Sequence, residues 1–172
     1  MNVTYTSREQ VEVYRFSWGA AIGVPLIALF LQGFLPVRVA ALRILDLPLL
    51  VTIYFAISRR NPITGLSTGC LIGLMQDALT QHPIGVNGIA KTVVGFLASS
   101  LGVKIDVEQP GSRFLLIYFF YLLHQTIYFS IMRGLANEPL TWHWGHQLLG
   151  ALLDSLIGVV LFAFLDRFRQ RV

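Results

Sequence analysis

An all-α, polytopic membrane protein with six transmembrane helices is the fold class this 172-residue sequence predicts. Hydrophobic residues make up 55% of it and charged residues only 13%, against about 25% charged in soluble domains. Six apolar runs follow one another with connections of no more than about a dozen residues, which leaves no room for a separate soluble domain. Most of the basic residues fall at the ends of those runs.

Spans are expected near 17–35, 42–58, 62–79, 88–103, 114–133 and 146–166, and 1–172 reads as a single integral membrane domain. Residues 1–16 are mixed in charge. The first run behind them extends for nearly twenty residues to Leu35-Pro36-Val37-Arg38, longer than a cleavable signal needs, and reads as a retained signal-anchor helix. The second run is short and holds Pro48. Asn61-Pro62 pairs a capping residue with a proline in the first helical turn and opens the third. His82 to Gly88 reads as a tight connection into the short fourth run, and Gln109-Pro110-Gly111-Ser112 as a turn into the fifth.

Orientation follows from lysine and arginine. With the amino terminus inside, the cytoplasmic segments hold Arg8, Arg15, Arg59, Arg60, Lys104, Arg113, Arg167, Arg169 and Arg171. The outer segments hold Arg38, Arg43, Lys91 and Arg133. This satisfies the positive-inside rule and puts both termini in the cytoplasm. The formal charge of +4 is therefore read as membrane topology and not as a nucleic-acid footprint.

Gly65, Gly69, Gly73 and Asp77 recur every four residues and so line one helical face. Small residues at this spacing let a second backbone approach closely, within this chain or from a partner. Aspartate at mid-bilayer costs about 2.5–3.5 kcal/mol on insertion scales, so Asp77 should avoid lipid. Lys91, across the short connection, is its expected partner in an ion pair at the outer interface, with a direct functional role as the alternative. In the sixth span His146, Gly150, Asp154 and Gly158 repeat the same spacing. Asp154 lies about 12 Å along its helix and His124 about 15 Å along the fifth from the opposite side. A His124–Asp154 hydrogen bond is expected as a buried polar clasp, with a proton relay or ligand contact as the alternative.

Trp142 and Trp144 read as interfacial belt residues, and the aromatics of the fifth span as core or lipid-facing. His82, His143 and His146 lack acidic or cysteine companions at ligand spacing, and Cys70 stands alone, so neither a metal nor a cofactor is expected. No Walker loop, His-Glu-x-x-His, Gly-x-Ser-x-Gly or dinucleotide fingerprint occurs, and the chain is not expected to be an enzyme.

The stretch from Pro62 to Leu97 resembles the centre of the bacterial rod shape-determining protein MreD family. Gly69, Gly73, Leu74, Asp77, Ile84-Gly85 and Gly95-Phe96-Leu97 carry the likeness, and Asp46 before Leu47-Pro48 resembles the family's acidic start to its second span. Beyond these residues the likeness is one of layout. It implies a non-enzymatic inner-membrane scaffold of the cell-elongation machinery. Such a scaffold would work with MreC, with RodA and its transpeptidase partner and indirectly with MreB, to direct lateral peptidoglycan synthesis. Gly65, Gly69, Gly73, Asp77, Gly85, Lys91 and Gly95 would then make helix-packing or partner contacts. Membrane lipid surrounds such a protein, and homo-oligomerisation stays open. The family also resembles in fold the substrate-binding membrane subunits of energy-coupling-factor transporters. The rival reading is accordingly a vitamin-binding transport subunit, with Asp46, Asp77, Lys91, Arg133 and His146 as its polar resources.

Overall fold

The computed structural model describes residues 14–16, 18–38, 43–81, 83–102, 109–134 and 142–171. The first thirteen residues, His82, Lys104 and the connection 135–141, on which several expectations fall, lie outside the described residues.

Six helices account for nearly all of it: α1 (Trp18–Arg38), α2 (Leu47–Arg59), α3 (Pro62–Thr80), α4 (Val86–Gly102), α5 (Pro110–Gly134) and α6 (Trp144–Leu165). A short antiparallel pair, β1 (Tyr14–Phe16) with β2 (Arg169–Arg171), joins the two ends of the chain. Local chemistry explains the helix ends. Asp46 caps α2, its carboxylate accepting from the Leu49 amide at 3.0 Å, with Pro48 in the first turn. Asn61 does the same for α3, accepting from Ile63 at 3.0 Å with Pro62 behind it. Arg60 (φ 49°) and Gln81 (φ 57°) close α2 and α3 in the left-handed conformation. Within the stretch 42–58, where a second span is expected, the helix begins at 47 and not 42, because the Asp46 cap fixes its start.

Pairs of touching residues reveal the topology. On α3 and α4, Gly65 meets Gly95, Gly69 meets Lys91 and Gly73 meets Asn87, so these helices run antiparallel. Between α2 and α4, Asp46 meets Lys91 and Ile57 meets Gly102, so these run parallel. α2 also runs parallel to α6, since Asp46 touches Asp154, Leu50 lies beside Gly158 and Tyr54 stacks edge-on against Phe162 at 5.1 Å. Consecutive helices therefore alternate in direction, with α2 at the centre. Every residue from Pro48 to Ser58 is buried, and the core gathers around Leu49, Leu50, Ile53, Ile117 and Phe120. The opposite end of the bundle is stapled by Arg113 to Asp166 at 2.8 Å, with the Tyr54 hydroxyl donating to the same carboxylate at 3.2 Å.

Among the described residues three helices are long and apolar enough to cross a membrane: Gly19–Arg38, Pro110–Gly134 and Trp144–Leu165. Their outward faces bear large apolar side chains, among them Ile27, Phe30, Phe34, Leu115, Phe119, Leu152 and Val160. Outside lipid or a partner such surface would be a liability. α2 is apolar too, but its 13 residues reach only about 20 Å, short of the roughly 30 Å hydrocarbon core.

The glycine strip is filled from within the chain. A Cβ at Gly65, Gly69 or Gly73 would run into the backbone carbonyls of Gly95, Lys91 and Asn87, and one at Gly95 into that of Gly65. Of the two uses open to these glycines, α4 has taken the close approach, and no partner helix can occupy the same face. Gly69→Ala should therefore lower stability by about 1–3 kcal/mol through overpacking. Gly33→Ala, where a Cβ meets nothing within 4 Å, should be neutral or slightly stabilising through helix propensity. Thermal midpoints of the two variants in one detergent check this, and equal midpoints would contradict it.

Candidate functional site

The polar residues within the bundle converge on the amino-terminal end of α2. Asp46 is the hub. Its backbone carbonyl accepts from Leu49 and Leu50, and one carboxylate oxygen completes the cap. The other oxygen accepts from Lys91 Nζ of α4 at 2.6 Å. Its backbone amide donates to Asp154 Oδ1 of α6 at 3.1 Å. Lys91 Nζ also reaches His124 Nε2 of α5 at 3.2 Å. An ammonium has protons to give and no lone pair, so Nε2 accepts and the imidazole proton sits on Nδ1. Four helices, α2, α4, α5 and α6, are thereby tied to the Asp46–Lys91 pair. Lys91, Asp154 and His124 are buried, at 0%, 0% and 2% exposure.

These contacts correct two expected pairings. Asp77 does not pair with Lys91. Its carboxylate turns back on the connection and accepts from the Gly85, Asn87 and Gly88 amides at 2.9, 3.2 and 3.2 Å, and from Asn87 Nδ2 at 2.8 Å. Those amides open α4 and have no partner within the helix, so Asp77 caps α4 from the end of α3. Gly85, with φ of 104°, makes the fold-back possible where a side chain would be strained. His124 and Asp154 do not bond each other either. Both attach to the Asp46–Lys91 pair, one through the ammonium and the other through the Asp46 amide. Asp154 Oδ2 and His124 Nδ1 are buried without a hydrogen-bond partner among the described residues.

Asp46 was legible as an acid at the start of the second span, yet its place at the hub was not foreseen. The signal was present: an aspartate two residues before a proline that opens an apolar run is the same capping pattern as Asn61-Pro62. His146 and His143 are exposed on the first turn of α6 and at its cap position. Trp142 and Trp144 pack edge to face at 5.3 Å beside Phe129. Cys70 is half-buried on α3. Among the described residues no three His, Cys, Asp or Glu side chains gather as a metal site.

Beside the hub lies a small polar pocket of about 160 Å³. Gln32, Arg43, Asp46, Gln76, His124 and Gln125 line it, with Asn87 and Tyr128. Gln32 forms one wall, donating to the Leu45 carbonyl at 2.9 Å and accepting from the Leu47 amide at 3.1 Å. Gln76 Oε1 is buried with no partner among the described residues.

Burying an ion pair brings a desolvation cost that its attraction only roughly offsets, whereas removing one partner strands a charge. Lys91→Met should therefore destabilise the protein by about 3–5 kcal/mol, and Asp46→Asn with Lys91→Met should be less damaging than Lys91→Met alone. Denaturation of the three proteins in detergent checks the order, and a tolerated Lys91→Met would contradict it. Asp77→Asn should cost about 1–2 kcal/mol through loss of the cap. It should also speed amide hydrogen exchange at Gly85, Asn87 and Gly88, and unchanged exchange there would count against the capping role.

No family model matches this chain, and comparison with curated proteins and with solved structures also yielded no match.

Proposed function

We propose that this chain is a non-enzymatic scaffold of the MreD type in a bacterial inner membrane. In this reading six helices cross the bilayer, both termini are cytoplasmic, and the fold is akin to that of energy-coupling-factor substrate-binding subunits. The short α2 is accommodated because it is enclosed by its neighbours and meets no lipid along Pro48–Ser58. α3 and α4, with 19 and 17 residues, reach about 28 and 25 Å, which a tilted or locally thinned bilayer can match.

One observation carries the reading. The residues that bear the family likeness, 62–97, form a single closed hairpin in which the glycines and the acid of the motif have mechanical tasks. The glycines admit α4, Asp77 caps it, Gly85 turns the chain, and Lys91 anchors the hairpin to Asp46. Such a pattern is what a rigid platform for MreC, RodA and its transpeptidase partner requires. It engages the ionisable groups in internal contacts.

The pocket at the hub is the observation that favours the transport reading. At about 160 Å³ it is well below the roughly 300–1,000 Å³ typical of small-molecule and cofactor sites, which weighs against a vitamin. Affinity purification of the tagged chain from its own cells in mild detergent separates the two. The scaffold reading expects MreC-like and RodA-like proteins in near-stoichiometric amounts, and loss of rod shape on depletion. Recovery of an ATPase module with a bound vitamin-like molecule would overturn it.

A further inference from the structure

The polar pocket and a neighbouring apolar groove share two helices: α1 and α3 build the groove and give the pocket Gln32 and Gln76, while the α1–α2 connection, α4 and α5 complete the pocket. The groove, of about 750 Å³, is lined from α1 by Leu26, Leu29, Phe30 and Phe34 among others, and from α3 by Met75 and Leu79. Leu29 and Leu79 lie one helical turn from Gln32 and Gln76, which line the polar pocket. We propose that the pair binds one phospholipid of the phosphoglycerol type, headgroup in the pocket and acyl chain in the groove.

The chemistry of the wall selects the headgroup. Gln76 and His124, both more than nine-tenths buried, line the pocket, and each has a buried polar atom lacking a partner among the described residues. Gln76 Oε1 is an acceptor, and His124 Nδ1 carries the proton that Lys91 forces onto it, so it is a donor. A hydroxyl satisfies both, because it gives one hydrogen bond and accepts others. An ammonium headgroup has nothing to offer the Nδ1 proton. The interior pair Asp46–Lys91 is mutually neutralised, so the depth of the pocket suits an uncharged group. Arg43 is exposed, lines the same pocket and makes no ion pair among the described residues, which fits a phosphodiester outside the glycerol. The pocket's modest volume suits a headgroup of a few heavy atoms, and the groove supplies the apolar surface that a soluble solute would not use. This inference does not rest on the scaffold reading.

Native mass spectrometry of the full chain in mild detergent tests it, with phosphatidylglycerol, phosphatidylethanolamine and soluble glycerol 3-phosphate added separately. Phosphatidylglycerol should be retained in preference to phosphatidylethanolamine. Arg43→Gln should weaken that retention about tenfold, as expected for loss of one charge-assisted hydrogen bond. Gln76→Leu should do the same; Arg43 sits at the exposed rim, so its variant keeps the test valid if Gln76→Leu fails to fold. Equal retention of both lipids, unaffected by Arg43→Gln, would mean annular lipid only and overturn the proposal. Binding of glycerol 3-phosphate without lipid selectivity would assign the pocket to a soluble solute and overturn it equally.

Discussion

The buried pair of Asp46 and Lys91 is the constraint on which the rest of the bundle depends. A lysine ammonium with no solvent exposure is tolerated only with an acid against it, and here that acid is also the cap of the central helix. The capping bond sets where α2 begins. The ion pair then sets the register of α4 against α2, and the Asp46 amide sets that of α6 through Asp154. An apolar interface tolerates sliding by a fraction of a turn, whereas these directional contacts do not. The hub therefore supplies registry more than net stability, in keeping with the near balance of attraction and desolvation for buried charges.

A second constraint acts between α3 and α4. Close approach of two backbones gives extensive dispersion contact, and the glycine faces permit it without side chains in between. The Asp77 cap removes what would otherwise be the main defect of a tight hairpin, a buried helix start with unsatisfied amides. Because Asp77 is fully engaged in that task, Lys91 is left to reach across to α2. The two acids thus divide the work: one closes the hairpin, the other places it.

Much of the secondary structure was legible in the sequence, because helix signals are local. Asn61-Pro62, the fold-back before Val86 and the four-residue glycine spacing each act within one or two turns. The pairings at the hub were not legible, since Asp46 and Lys91 stand 45 residues apart and meet only because α2 and α4 lie side by side and parallel. Depth along each helix put His124 and Asp154 at a similar level, which the structure respects. Depth cannot say which helix stands between them, and the Asp46–Lys91 pair occupies that place. The Asp77–Lys91 pairing failed for a related reason: nearness across a turn was weighed, but the competing demand of the α4 amides was not.

The most direct test is a solid-state NMR distance in lipid bilayers between the Nζ nitrogen of Lys91 and the aspartate carboxyl carbons. The chain has only two lysines, Lys91 and Lys104, so a ¹⁵N-lysine label is nearly site-specific, and replacing one aspartate at a time assigns the coupling. Strong dipolar coupling that disappears in Asp46→Asn-labelled controls and persists in Asp77→Asn is the result this account requires. Coupling that survives loss of Asp46 but vanishes with Asp77 would contradict it.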